Sequence, residues 1–199
     1  MRKLFICIFL IILASCSYKS VNTAKQFEEF EGTNRGILVY TFTKKKDGIQ
    51  NGFSYFYLKN ITNGKVKTLE LNGNINTKDK LLYENADESR YIVNMTLDPG
   101  EYIFYAYSSY LEKGRGLTYQ NLTIPVGTIN EKEITYIGNF SPEKVVSQRH
   151  KKKKRKFYKA VIFSRTDEFE KDSLHILSSN PNLSKYPIHK SVIEGITLN

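Results

Sequence analysis

The chain is 199 residues long, with 30 Lys+Arg against 20 Asp+Glu, 40% hydrophobic residues, Tyr 14, Phe 12, Trp 0 and Cys 2. That length accommodates one ordinary domain with a core and argues against two, and the apolar and aromatic content excludes a disordered chain. Two cysteines are too few for a disulfide scaffold or a thiolate zinc finger, and the histidines His150, His175 and His189 leave little for metal or acid–base chemistry.

Arg2 and Lys3 precede Leu4–Leu13, an uninterrupted apolar run of ten residues. As a helix it would span about 15 Å, half of a roughly 30 Å hydrocarbon core, so it is too short for an ordinary membrane span. A charged start, a short apolar middle and small residues after it describe an export signal. The next residues, Leu13-Ala14-Ser15-Cys16, resemble the lipobox of bacterial lipoproteins. The resemblance implies cleavage between Ser15 and Cys16 and diacylation of the Cys16 sulfur. Small side chains at positions 14 and 15 suit a peptidase cleft, and one thiol receives the lipid. The alternative is an ordinary secretory signal with a chance cysteine. Cys7 leaves with the signal, so the mature chain keeps no free thiol. Two acyl chains, at about 0.8 kcal/mol per buried CH2, give stable anchoring where one would be marginal. Ser17, where an Asp would signal retention, resembles the pattern sent to the outer membrane if the host has two. The reading divides the chain into a signal peptide over 1–15, a lipidated tether over 16–34 and a single domain over 35–199.

From Arg35 onward, short strand-like segments recur at roughly ten-residue spacing, the signature of a sandwich or small barrel. Gly36–Thr43 is rich in β-branched and aromatic residues. Asp47-Gly48 and Asn51-Gly52 are hairpin-type turn pairs before Phe53–Lys59, and Asn63-Gly64 leads into Lys65–Leu71. Period two sends Phe53, Tyr55 and Tyr57 to one face and Ser54, Phe56 and Leu58 to the other. Residues 72–88 read as loop with a short strand near Leu81–Tyr83. Tyr91–Leu97, Asp98-Pro99-Gly100 and Glu101–Tyr107 form the strongest hairpin unit, because Pro presets φ and Gly accepts positive φ. Period two there sets Tyr102 and Phe104 against Ile103, Tyr105 and Tyr107. Leu117–Val126, Glu131–Phe140, Phe157–Phe163 and Ile188–Ile193 are further candidate strands. A helix is expected over about 166–179: Thr166 or Asp167 can cap it, and acidic Asp167, Glu168 and Glu170 favour its first turn. Many strands followed by one late helix predict a mainly β, antiparallel sandwich and argue against a parallel nucleotide-binding sheet.

Leu97-Asp98-Pro99-Gly100-Glu101-Tyr102 resembles the L-P-x-G-x-Y hairpin of transthyretin-like and carboxypeptidase-regulatory-like sandwiches, with Asp98 in place of the commoner Pro. Tyr136-Ile137-Gly138-Asn139-Phe140 and Asp167–Asp172 before Pro181, taken with the lipobox, resemble small bacterial lipoprotein families of unknown function. Their sandwich ends in a Y-x-G-N strand and a short acidic helix. The resemblance implies an immunoglobulin-like or transthyretin-like β-sandwich with one short helix near its C-terminal end, and an envelope location. It implies no reaction and no catalytic residue.

Without Arg2 and Lys3 the formal charge of +10 falls to +8, and seven of those charges lie in Arg149, Lys151, Lys152, Lys153, Lys154, Arg155 and Lys156. The rest of the mature chain therefore nets +1. A like-charge block of this kind, taken as a basic loop over 149–156, is a solvated segment, an anion site for lipid or surface polysaccharide, or a nucleic-acid contact. An exported lipoprotein rarely meets nucleic acid, so that partner is not expected. Gly114-Arg115-Gly116 precedes a strand and not a helix, so it is no phosphate cradle. Neither a G-x-S-x-G nor an H-E-x-x-H pattern occurs. Glu101, Glu131 and Glu133 pair as glycoside-type carboxylates by arithmetic alone. The strand aromatics line either a core or a sugar or peptide groove. The sequence thus predicts a lipid-anchored, non-enzymatic binding or scaffold module without metal or cofactor. The alternatives are an adhesion or carrier module acting through the basic loop and an envelope hydrolase.

Overall fold

Strand-forming alternation is continuous across most of the body, and in one strand both faces are apolar or hydroxyl-bearing. The computed structural model describes residues 30, 34–48, 53–72, 81–110, 117–149, 157–179 and 181–192. The strands are β1 (Gly36–Lys45), β2 (Phe53–Asn60), β3 (Val66–Asn72), β4 (Leu81–Glu84), β5 (Glu88–Leu97), β6 (Gly100–Tyr110), β7 (Leu117–Ile129), β8 (Ile134–Arg149), β9 (Phe157–Thr166) and β10 (Ile188–Lys190). One helix, α1 (Phe169–Ser179), follows β9, and a 3₁₀ turn over Pro181–Lys185 follows the helix. The strands form two sheets, one in the order β10-β8-β1-β5-β4 with β9 also on β8, the other β3-β2-β6-β7. The chain is therefore a mainly β two-sheet sandwich with one helix among the described residues.

Alternation places two cores on opposite faces of β1, which is why its first eight residues are all buried. Leu38, Tyr40 and Phe42 face the second sheet and meet Phe56, Leu58, Phe104 and Phe140. Ile37 and Val39 face outward and meet Ile134, Tyr136 and, from α1, Ile176. The molecule is thus three layers deep over β1: sheet, sheet, helix. Phe30, within the segment read as tether, is 1% exposed and packs edge-on against Tyr186 with ring centroids 4.7 Å apart. The second core begins with it.

The expected strands are present with shifted ends, and three differences have physical causes. First, the sandwich is not wholly antiparallel. The four-stranded sheet is antiparallel throughout, but β8 runs parallel to β1 and to β10. Both pairings join strands distant in sequence, brought together by a long crossover, and hairpin signals do not report such pairs. Second, the basic loop does not begin at 149. β8 runs through Pro142 to Arg149, which pairs with Phe157. Pro142 is tolerated because β1 makes its last pairing with β8 at Phe140, so a ladder N–H toward β1 is no longer needed there. Residues 150–156 lie outside the described residues, as do Ser15, Cys16 and the Gly114–Gly116 loop. Third, Tyr107 faces inward and not with Tyr105. Pairing shifts on both sides of Tyr105 make it a bulge residue, and the extra residue reverses the phase beyond it. Tyr107 is consequently 2% exposed, and Tyr55, Tyr57 and Tyr105 remain half-buried on the outer face.

The inverted phase has a use. The Tyr107 hydroxyl donates to the Val161 carbonyl, and Ser109 Oγ accepts the Val161 N–H at 2.9 Å. Both backbone groups lie on the edge of β9 that has no partner strand among the described residues. Side chains of β6 close that edge against strand addition.

Candidate functional site

A second bulge builds the most concentrated polar cluster in the described residues. Val39 pairs with Tyr136 but Thr41 pairs with Asn139, so β8 carries an extra residue between them. Gly138 supplies it with φ 113°, a conformation that costs an L side chain heavily. A Cβ there would also sit 3.1 Å from the Thr166 carbonyl oxygen. The bulge turns both Tyr136 and Asn139 to the helix side, flanking Thr41. On α1, Asp172 points down into the space between them.

Asp172 is fully buried, yet each of its oxygens is engaged. Arg90 Nη1 donates to Oδ1 at 2.7 Å. Tyr136 donates to Oδ2 at 2.5 Å, and the Thr41 hydroxyl donates to the same oxygen. Arg90 Nε donates to Thr43 Oγ1 at 3.1 Å, and Thr43 donates to Asn139 Oδ1 at 2.9 Å. Glu168 approaches Arg90 Nη1 at 3.6 Å from the rim. The guanidinium carbon lies 5.5 Å from the Tyr83 ring centroid, and Lys171 Nζ reaches the Tyr83 hydroxyl at 2.7 Å. Burial works against the Arg90 charge, but the hydrogen bond and charge of Asp172 hold its pKa above the ordinary value. Burial, reinforced by the Asp172 charge, pushes the Tyr136 phenol far above its usual range.

With every acceptor of Asp172 filled and no exposed face, this cluster clamps α1 onto the sheet. It offers no general base to a substrate: a base needs reach to a proton on a bound molecule. The proton linkage still has a visible consequence. Above pH 10 an unfolded tyrosine loses its proton while buried Tyr136 keeps it, so the unfolded chain binds fewer protons and stability falls with rising pH. Burial of Tyr83 and Tyr102 acts in the same direction. Arg165, pushed down to about 10 by burial, acts in the opposite direction between that pH and the ordinary guanidinium range. Tyr136→Phe is expected to flatten the decline of unfolding free energy between pH 10 and 11, read by urea titration at each pH. An unchanged slope would remove Tyr136 from the linkage.

Arg165 has a different role. It is 5% exposed with no carboxylate among its hydrogen-bond partners, donating to the carbonyls of Ile137 at 2.5 Å and Ser191 at 2.6 Å. Those bonds, with Ser191 N–H to Tyr136 O at 2.8 Å, pin the segment after β10 to the sheet. Gly127, with φ 134°, lies so close to Ser191 Oγ that any Cβ there would displace it.

The other residues singled out by sequence are dispersed. Glu101 and Glu131 are exposed, while Glu133 accepts from Asn130 at 2.6 Å and lies 3.3 Å from His189 Nε2. His175 sits on α1 with its ring 5.5 Å from that of Tyr83. Asp98 ties the hairpin turn to Lys65 and Arg35; the Lys65 hydrogen bond, with the charges of both, holds its carboxyl below the usual range, and Tyr102 donates to the Asp98 carbonyl at 2.8 Å. Where β8 leaves β1, an open cleft of about 610 Å³ is lined by Lys45, Asp47, Ser141, Glu143 and Ser164. Among the described residues no group of three or more His, Cys, Asp or Glu side chains could hold a metal, and no helix is long and apolar enough to cross a membrane.

Neither a protein family nor a curated protein matches the chain. A leucine-rich repeat protein from Bacteroides thetaiotaomicron, solved by crystallography, is similar at 14% identity and a TM-score of 0.30. That similarity covers 53% of this chain and 13% of the other.

Sequence reasoning missed the Asp172 cluster. One signal was available: Asp172 falls in the stripe of Phe169 and Ile176 along the helix, where an unpartnered carboxylate would be intolerable and a buried cation is required.

Proposed function

We propose that this chain is a lipid-anchored lipoprotein of the bacterial cell envelope, held by a diacylglyceryl group on Cys16, whose sandwich serves as a non-enzymatic binding or scaffold module. The observation that carries the proposal is Leu13-Ala14-Ser15-Cys16 placed directly after a charged start and a ten-residue apolar run. The Asp172 cluster supports the second half: among the described residues, the most densely hydrogen-bonded carboxylate is spent on holding a helix and is sealed from solvent. In a host with two membranes, Ser17 favours the outer one.

Inhibiting the lipoprotein signal peptidase in expressing cells is expected to accumulate a precursor that retains residues 1–15. Mass spectrometry of untreated material should give a chain starting at an acylated Cys16. An intact Met1 with an unmodified sulfur at position 16 would end the anchoring proposal.

A second reading makes the protein an adhesion or carrier module that takes anionic lipid or polysaccharide through the basic run. It is favoured by the pairing of Arg149 with Phe157, which sets the described residues on either side of 150–156 next to each other.

A further inference from the structure

The outer face of β2 and β6 carries a third aromatic cluster. Phe56, Phe104 and Tyr107 go to the inter-sheet core, whereas Tyr55, Tyr57 and Tyr105 belong to neither core and remain half-buried on the far side of their sheet. The helix α1 covers the other sheet, so no described element packs on this face. The bulge at Tyr105 builds the cluster: one extra residue on β6 sets a ring outward while Tyr107 stays inward. Register puts small residues beneath the rings. Tyr57 pairs with Ala106 and Tyr55 with Ser108, and these two are only 4% and 3% exposed. The Tyr57 and Tyr105 rings stand 6.4 Å apart at 73°, a corner of one face and one edge. Lys59 continues the β2 row two residues after Tyr57, and its Nζ lies 6.0 Å from the Tyr105 ring centroid. No carboxylate among the described residues pairs with that ammonium.

We propose that this face binds an acidic polysaccharide, a sugar chain bearing carboxylates. Tyr57 and Tyr105 stack on the C–H face of a sugar ring, and Lys59 pairs with its carboxylate. That ligand gives a chemical class to the binding-module reading and rests on it. Three arguments select it. Each tyrosine ring ends in a hydroxyl that a sugar can meet and an acyl chain would strand, which disfavours lipid. An extended peptide joins a sheet through its edge, where N–H and C=O groups are free, and a sheet face offers it none. Lys59, set beside the aromatic corner without a counter-charge, supplies the complementarity that separates an acidic sugar from a neutral one.

The test uses the mature full-length protein in micelles of a neutral detergent, with oligogalacturonate and its neutral methyl ester as probes and isothermal titration calorimetry as the readout. Tyr57→Ala and Tyr105→Ala should each weaken both probes by roughly tenfold. Their urea midpoints should stay near the parent's, since neither ring belongs to a core. Lys59→Gln should weaken the acidic probe alone, by about threefold at low salt, and the difference should close at high salt. An acidic probe that does not bind, or binding indifferent to both tyrosines, overturns the site. Equal loss of both probes in Lys59→Gln overturns the selection by charge. If replacing the seven Lys/Arg of 149–156 by Gln abolishes binding while the tyrosine variants match the parent, the polymer is held by the basic run and not by this face. Competition by phosphatidylglycerol vesicles that disappears in both tyrosine variants assigns the face to lipid and overturns the polysaccharide. A chain found unlipidated by mass spectrometry ends the anchor and leaves the binding test standing, whereas failure of both probes on a lipidated chain ends this site alone.

Discussion

Asp172→Ala is expected to lower the unfolding free energy by about 3–5 kcal/mol, because it strands the Arg90 guanidinium in the interior with its partner gone. Arg90 is 5% exposed, and its remaining contacts are the neutral Thr43 hydroxyl, the Tyr83 ring and the more distant Glu168, none of which replaces the lost charge at hydrogen-bond distance. Tyr136 and Thr41 lose their acceptor at the same time. A domain of this size is stable by roughly 5–15 kcal/mol, so the change removes a large share of the total. The cost comes from the orphaned charge and not from the worth of the pair, which gives the prediction its control. Asp172→Leu combined with Arg90→Met should recover most of the loss, since replacing both buried partners by apolar groups of similar volume is often neutral. Urea denaturation followed by circular dichroism reads both. An Asp172→Ala midpoint within error of the parent would mean that α1 is not held by this cluster.

The fold was legible wherever the signal is local. Alternation in Phe53–Asn60 sends Ser54, Phe56 and Leu58 inward, and all three are buried. The Asp98-Pro99-Gly100 turn and the Asp167 cap, whose carboxylate accepts the Phe169 N–H at 3.1 Å, follow from turn and capping chemistry alone. What escaped depends on pairs distant in sequence. No pattern within β1 or β8 announces that they run parallel, and strict alternation mislaid Tyr107 because one inserted residue at Tyr105 inverts every position after it. Gly138 is instructive in the opposite sense. Its place in Tyr-x-Gly-Asn was noticed only as a resemblance, but its positive φ is what delivers Tyr136 and Asn139 to the same side of the sheet. The clamp on Asp172 was hidden for a related reason. Its members, Thr41, Arg90, Tyr136 and Asp172, come from three strands and a helix spread over most of the chain, and a helix carboxylate reads as solvated until the helix is known to be covered.

Phe56→Ala should cost about as much as the loss of Asp172, some 3–5 kcal/mol, through a different mechanism. Phe56 is 0% exposed, with the rings of Tyr107 at 4.7 Å, Phe104 at 5.0 Å and Phe140 at 5.8 Å. With Phe163 edge-on at 6.3 Å, four rings from two sheets close on it, so truncation leaves a cavity that neighbouring strands cannot fill without breaking ladder hydrogen bonds. Thr68→Ala, on the exposed edge strand opposite Tyr57, makes the contrast and should change stability by no more than about 0.5 kcal/mol. The combination of Phe56→Ala with Asp172→Ala asks more. The two sites lie on opposite faces of the sheet that contains β1 and share no side-chain contact, so their costs should add to within about 0.5 kcal/mol. A double variant markedly more stable than that sum would show that the inter-sheet core and the helix clamp act through β1 as one unit, and the two-core description of this fold would have to be abandoned.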